Sequence, residues 1–406
     1  MKKTLMVIGN MFDERINAIV ETAKELDIRT VVIGGIYDEP TEKAADVYYV
    51  HDLNDAEYLI ELGKKEKIDG VVSAFDKAML SVMKVAQALK LPGISPASIE
   101  KLFCKGKFRQ LQKESGAFYP EFLYSGKKED FVKGLENFNF PIIIKPDRSS
   151  ASRGQSIVEQ YDEKAISDAF DRAVAESVNK LVCAEEFVKC VDLNVLEGDV
   201  FVLGDEILWD GLRYCWRTED NPLVPSGDIM PIHLPEEQLK IVKKTVSDVL
   251  KNAGCTLGVY NFESYFTENG DYFIVEINPR QAGQYNPQEI MESTGVDLTK
   301  LLVTTALDDM SYFEELKHFE RRQTPILTCT LFSEKDGIYK DVWLSDKYKE
   351  HLISVFPVKE KGVRIRKKQA AIDVVSIYHF KFDSEAERDE YMRGLYKNIC
   401  VILEEE

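Results

Sequence analysis

Four residues carry the sharpest chemical signal in this chain: Glu263, Glu276, Asn278 and Arg280. Glu263 lies in an apolar, aromatic run, 258–266, and Glu276 in a second, 272–277. The two runs are joined by Glu268-Asn269-Gly270-Asp271, and an Asn-Gly pair between alternating runs predicts a tight hairpin. The pairing places Glu263 and Glu276 on adjacent antiparallel strands. Glu276 and Asn278 are two residues apart, so their side chains share one sheet face. Two carboxylates and an amide oxygen on one face make a hard-oxygen set. Such a set suits Mg²⁺, which takes few protein ligands and shares the rest with phosphate oxygens and water. Arg280 follows at once, placed to neutralise phosphoryl charge. The competing reading is a solvated acidic strand end beside a surface arginine.

Three more segments could serve the same chemistry. Lys145 ends the apolar run Phe140-Pro141-Ile142-Ile143-Ile144, and a lysine delivered by a buried strand is costly unless it is paired. The polar loop 147–155 follows, and its Ser150, Ser152 and Gly154 offer hydroxyls and backbone N–H groups that can cradle phosphates. It is not a P-loop, because GxxxxGK[ST] is absent. Glu185-Glu186-Phe187-Val188 leads from an apolar strand into a connector that can present backbone polar groups to an adenine edge, and Asp192 follows within reach of ribose hydroxyls. Arg213 and Arg217, in Gly211-Leu212-Arg213-Tyr214-Cys215-Trp216-Arg217, suit either a clamp on a substrate carboxylate or a structural or surface pair.

The elements that must position these groups are legible in outline. Residues 1–95 alternate strand-like runs (4–9, 30–35, 70–74) with helical periodicity (13–26, 56–65, 79–89), which predicts an open parallel α/β domain. No GxGxxG follows the first strand, so a dinucleotide site there is poorly supported. A helix capped by Ser95 or Ser98 is expected to run to about Gly116, carrying the basic cluster Lys101, Lys105, Lys107, Arg109 and Lys113. A long amphipathic helix, opened by Leu234-Pro235-Glu236-Glu237 and running through Val249, precedes the Glu263 strand. From about 324 the chain reads as β-rich, closed by a helix over 384–400.

In this order, Lys105, Lys145 with its serine loop, the segment 185–192, Glu263 and Glu276-Ile277-Asn278-Pro279-Arg280 resemble the ATP-grasp superfamily. The likeness is strongest to its carbamoyl-phosphate-synthetase-like and L-amino-acid-ligase-like branch. It implies an ATP-grasp fold of mixed α/β and α+β class, with an N-terminal open parallel α/β (pre-ATP-grasp) domain and a β-rich C-terminal subdomain. The expected units are 1–95, 96–190 with the phosphate loop, 191–320 with the metal ligands, and 321–406. By resemblance, ATP is held by Lys105 (Lys107 if the register shifts), Lys145, Ser150, Ser152, Gly154, Glu185, Glu186, Val188 and Asp192. Glu263, Glu276 and Asn278 match the Mg²⁺ ligands, with Mn²⁺ as an alternative ion. Arg280 matches the arginine that stabilises the transferring phosphoryl group. Two departures stand out: Cys190 occupies a usual glycine position, and Asp192 a usual glutamate.

The implied activity is a ligase that makes an acyl phosphate from a carboxylate and passes it to an amine or thiol. Its partners would be a small-molecule carboxylate and an amine-type acceptor, with a homodimer as the compatible assembly. The rival enzyme reading is a carboxylating or purine-biosynthetic enzyme acting on bicarbonate or a ribonucleotide. The rival of another class is a non-catalytic ATP-binding regulatory protein. A net charge of −18 over 406 residues argues against nucleic acid as a partner. No apolar run approaches the roughly 20 residues that span a bilayer, so a cytoplasmic location without a membrane partner is expected. The seven cysteines include no CxxC pair and read as reduced core thiols.

Overall fold

The structure, a computed structural model, describes residues 2–149, 153–190, 194–218 and 221–404. Its N-terminal layer is a parallel sheet of β1 (Thr4–Ile8), β2 (Arg29–Gly34), β3 (Val47–Val50) and β4 (Gly70–Val72), in the order β3-β2-β1-β4. The crossovers are α1 (Glu14–Glu25), α2 (Glu39–Ala44) and α3 (Ala56–Glu66), and α4 (Met79–Leu89) follows β4. Leu5, Val7 and Val32 are buried on one face and Met6, Ile8, Val31 and Ile33 on the other, as a parallel sheet requires. The chain leaves β1 on one side and β4 lies on the other. The loops after these two strands therefore flank a crevice at their carboxyl ends.

The single helix expected over 95–116 is two helices, α5 (Pro96–Phe103) and α6 (Lys105–Glu114). Cys104 between them is extended. The break has a partner: Asp147 takes the Gly106 N–H on its carboxylate at 2.7 Å and the Lys105 N–H on its carbonyl at 2.9 Å. These groups satisfy N–H donors that a helix start leaves open.

A small antiparallel sheet follows, in the order β5-β8-β6-β7. Its strands are β5 (Phe122–Ser125), β6 (Ile142–Pro146), β7 (Ser156–Val158) and β8 (Val182–Glu186), backed by α7 (Lys128–Gly134) and α8 (Glu163–Glu176). The largest sheet comprises β9 (Asn194–Leu203), β10 (Glu206–Thr218), β11 (Asn221–Met230), β12 (Leu257–Phe266) and β13 (Tyr272–Asn278), continued by β14 (Ile326–Leu331). Beyond β14 come β15 (Gly337–Leu344), β16 (Leu352–Pro357), β17 (Arg364–Ile365), β18 (Ser376–Lys381) and β19 (Ile399–Leu403). The order β13-β12-β9-β10-β11-β14-β18-β16 shows that C-terminal strands extend the central sheet, while β17, β15 and β19 form a separate small one.

The helix expected over 384–400 stops at Gly394, and the chain turns through Leu395–Lys397 into β19. Helix α9 (Glu236–Ala253) packs Val242, Val246, Val249 and Leu250 against Phe262 and Ile277. That packing fixes which face of the β12–β13 hairpin is apolar. After α10 (Asn286–Thr294), α11 (Leu298–Ala306) docks on the N-terminal sheet through Val303 and Ala306. Gly70 belongs at this junction because a Cβ there would collide with the Ala306 carbonyl.

Candidate active site

The hairpin places its acids as expected. Glu263 pairs directly with Glu276, and on its other side with Glu197 of β9. Directly opposed residues share a face, and Arg213 of β10 pairs with Glu197 to continue the row. With Phe262 and Ile277 turned into the core, the row Glu276, Glu263, Glu197 projects from the opposite face. The Asn278 amide donates to Glu276 Oε1 at 2.9 Å, which leaves its Oδ1 available as a ligand. Arg217 reaches Glu263 Oε2 at 3.2 Å. Burial, then Glu197 and Glu276, push the Glu263 carboxyl up to about 7 against the pull of Arg217 and Arg280. Three carboxylates thus stand side by side on one sheet face, a donor set that a divalent cation suits.

Lys145 has the partner that its burial demands. Its Nζ lies 2.8 Å from Glu185 Oε2, and both side chains are almost wholly enclosed. Arg109 holds the same carboxylate, from Nε to Oε1 at 3.1 Å and from Nη2 to Oε2 at 3.1 Å. Burial pushes the Glu185 carboxyl up, but Arg109 and Lys145 more than offset this and bring it down to about 2. Burial lowers the Lys145 ammonium, Glu185 opposes that, and Arg109 adds to it. The Glu185 side chain is therefore committed, and only its backbone can face a nucleotide. Glu186 accepts from the Asn139 backbone and side chain at 3.0 and 2.8 Å. The Val188 carbonyl accepts the Tyr265 hydroxyl at 2.6 Å, which ties the connector after β8 to β12.

Lys105, the first residue of α6, directs its Nζ toward the Ser149 carbonyl at 3.4 Å, on the phosphate-loop side. Lys107 is drawn away, to Glu100 at 2.7 Å. Gly154 sits in the left-handed region at φ +70° and packs against Pro146 and α8. Ser150, Ser152 and Asp192 lie outside the described residues.

Arg280 leaves the end of β13 and meets Asp76, in the loop after β4, at 2.6 Å. Burial pushes Asp76 up, but Arg280 and, farther off, Arg15 and Lys105 bring it below the usual range. The phosphoryl-stabilising candidate is thus held by the N-terminal domain. Arg15 donates to the Gln281 carbonyl at 3.4 Å, and Glu14 accepts the Gln284 N–H at 3.0 Å, so the β1 loop braces the same turn.

The expectation for Arg213 is corrected. It is fully buried, with Glu197 at 2.9 Å, Asp199 at 2.8 Å and Asp228 at 3.4 Å around its guanidinium. Its charge is spent inside the protein and cannot clamp a substrate. Glu197, Cys215 and Asp228 bring ligand atoms within 4.8 Å of one another, but the cation among them is Arg213. Asp199 also accepts the Ala282 N–H at 2.8 Å, so the cage anchors the turn that carries Arg280. Arg217 faces the acid row, engaged with Glu263. Sequence reading gave no role to Asp76, Arg109 or Glu197. Only the Arg109–Gln112 spacing, two polar residues on the face of α6 that also buries Phe108 and Leu111, offered a local hint.

Residues 117–304 match the family described as D-ala D-ala ligase C-terminus, and this span holds Lys145, Glu185, the acid row and Arg280. Over this span the chain is similar to the ATP-grasp ligases. It is 27% identical over 262 residues to the C-terminal section of the carbamoyl phosphate synthase large chain of Aquifex aeolicus, covering 62% of this chain and 46% of that one. The chain therefore spans less than half the length of that relative. Among solved structures, an L-amino acid ligase from Bacillus licheniformis superposes with a TM-score of 0.82 at 19% identity, over 100% of this chain and 99% of the other. A phosphoribosylglycinamide synthetase from Anaerococcus prevotii gives 0.76 at 18% identity, over 100% of both. These likenesses extend the ATP-grasp fold along the whole chain. No helix among the described residues is long and apolar enough to cross a membrane.

Proposed function

We propose that this protein is an ATP-dependent ligase that activates a carboxylate as an acyl phosphate and joins it to an amine-type acceptor. The observation that carries the reading is the row Glu276–Glu263, with Asn278 beside it and Arg280 two residues on. Arg109 links the strand that carries Glu276 to the buried Lys145–Glu185 pair. Glu263, Glu276 and Asn278 would hold Mg²⁺, with Mn²⁺ as the alternative. The adjacent carboxylates of the row fit that role. The ion's contribution is to offset the charge of the nucleotide phosphates.

The remaining roles belong to this chain's side chains and backbone. Lys105 and Lys145 neutralise phosphate oxygens. Ser150, Ser152 and Gly154 close the loop over them, and backbone groups of Glu185, Glu186 and Val188 meet the adenine edge. Asp192 meets the ribose. The substrate carboxylate oxygen attacks the γ-phosphorus and the bond to the ADP oxygen breaks. Arg280 meets the charge spread over the transferring phosphoryl group. The acceptor amine then attacks the acyl carbon, phosphate leaves, and the amine loses a proton as the amide forms. Positioning supplies most of the rate, because in-line geometry replaces a collision in solution.

The 0.82 TM-score to an L-amino acid ligase supports an amine acceptor, and the scattered free cysteines support a cytoplasmic setting. The test is ADP release across a matrix of carboxylates and amines, with product mass read out. Glu276→Ala should lose at least a hundredfold in carboxylate-dependent ADP release. Wild-type turnover by that variant on the true substrate would overturn the site.

A further inference from the structure

Arg109 joins both walls of the proposed nucleotide cleft. One edge of its guanidinium grips both oxygens of Glu185, the residue that fixes Lys145. Its other donors reach the Ile274 carbonyl at 3.1 Å and the Val275 carbonyl at 2.9 Å. These two residues lie directly before Glu276 on β13. Gln112, one helical turn along α6, completes the joint. Its Oε1 accepts Arg109 Nη1 at 2.6 Å, and its Nε2 donates to the Ile274 carbonyl at 3.0 Å. The guanidinium lies 4.8 Å from the Phe273 ring centroid and is almost wholly buried.

We infer that Arg109 is a positioning residue that sets the distance between the Lys145 subsite and the metal-binding strand. The inference rests on the reading of the cleft as an MgATP site. A planar fork suits this task because it makes two separated, directional sets of contacts at once. Lysine has the same charge but presents a single point and cannot span both walls. The nucleotide's base and inner phosphates would lean on the β6–β8 wall, and its metal on β13. Misplacing one wall relative to the other leaves each subsite intact but spoils their joint use by MgATP.

The experiment compares the affinity of the full-length protein for ATP with and without Mg²⁺, by calorimetry, for wild type and Arg109→Lys. The expected result is metal-free ATP affinity within threefold of wild type, while the gain conferred by Mg²⁺ shrinks at least tenfold. Gln112→Ala loosens the same joint without changing charge, and should shrink the Mg²⁺ gain three- to tenfold. It decides the matter alone if Arg109→Lys yields no folded protein. An unchanged Mg²⁺ gain in the folded variants overturns the inference, as does an equal loss with and without metal. Failure of wild type to bind ATP at all would instead overturn the proposed function.

Discussion

Replacing Glu185 with glutamine keeps the side-chain shape but leaves two buried cations, Arg109 and Lys145, without their shared anion. The size of the effect follows from the proton equilibrium. The carboxyl sits at about 2 rather than 4.5. Each unit is worth about 1.4 kcal/mol, so the pairing stabilises the fold by about 3 kcal/mol at neutral pH. Breaking a buried pair by removing one partner costs about 3–5 kcal/mol, in agreement. The sign is that of a depressed acid. The contribution is whole above pH 4.5 and fades as pH falls toward 2, so the stability gap between wild type and Glu185→Gln should close over that window in urea titrations.

The same change acts on the lysine. Burial and Arg109 both lower the Lys145 ammonium, and Glu185 is the largest opposing influence. Without it, Lys145 sheds its proton at a lower pH than in wild type. The affinity of the variant for MgATP, relative to wild type, should therefore be weakest at pH 8.5, by at least tenfold, and recover toward pH 6 where the ammonium returns. Calorimetric titrations at the two pH values make the comparison. Parallel pH profiles for the two proteins would refute the view that Glu185 holds a functional charge on Lys145.

Two further outcomes follow from the buried charges. Arg213→Met removes the cation from a cage in which burial has already pushed Glu197, Asp228 and Glu289 up. It should cost about 3–5 kcal/mol at pH 8. Because raised acids favour the protonated fold, its melting temperature should climb more steeply than that of wild type as pH falls from 8 to 5. Asp76→Asn removes the charge that orients Arg280. Steady-state kinetics should show kcat down about tenfold, or about 1.4 kcal/mol in the barrier, with KM for ATP within twofold.

What the sequence revealed depended on how local each interaction was. The Asn269-Gly270 turn and the alternation around it specify the β12–β13 hairpin within about twenty residues, and so the pairing of Glu263 with Glu276 was legible. The need of Lys145 for a partner was legible too, but not the partner's identity, because Glu185 meets it only after β6 and β8 pair. Arg109 was hidden among Lys101, Lys105, Lys107 and Lys113, where a basic run reads as a solvated face. Its role appears only when α6 lies against β13. The choice for Arg213 between a clamp and a structural group was hidden for the same reason. The acids around Arg213 come from β9 and β11, and no spacing along the chain announces their convergence. The break at Cys104 escaped notice because the helical periodicity continues across it. What divides α5 from α6 is Asp147, more than forty residues away, which takes the N–H groups at the new helix start.

The central claim is that a carboxylate is phosphorylated in the cleft between Lys145 and the Glu276 row. The most direct measurement uses the carboxylate identified by the ADP-release screen, labelled with ¹⁸O in both oxygens, together with MgATP and the acceptor. Transfer of one ¹⁸O atom into the released inorganic phosphate, abolished in Glu276→Ala, is the predicted result. Product formation with the displaced ¹⁸O found in water and none in phosphate, or with AMP released in place of ADP, would contradict it.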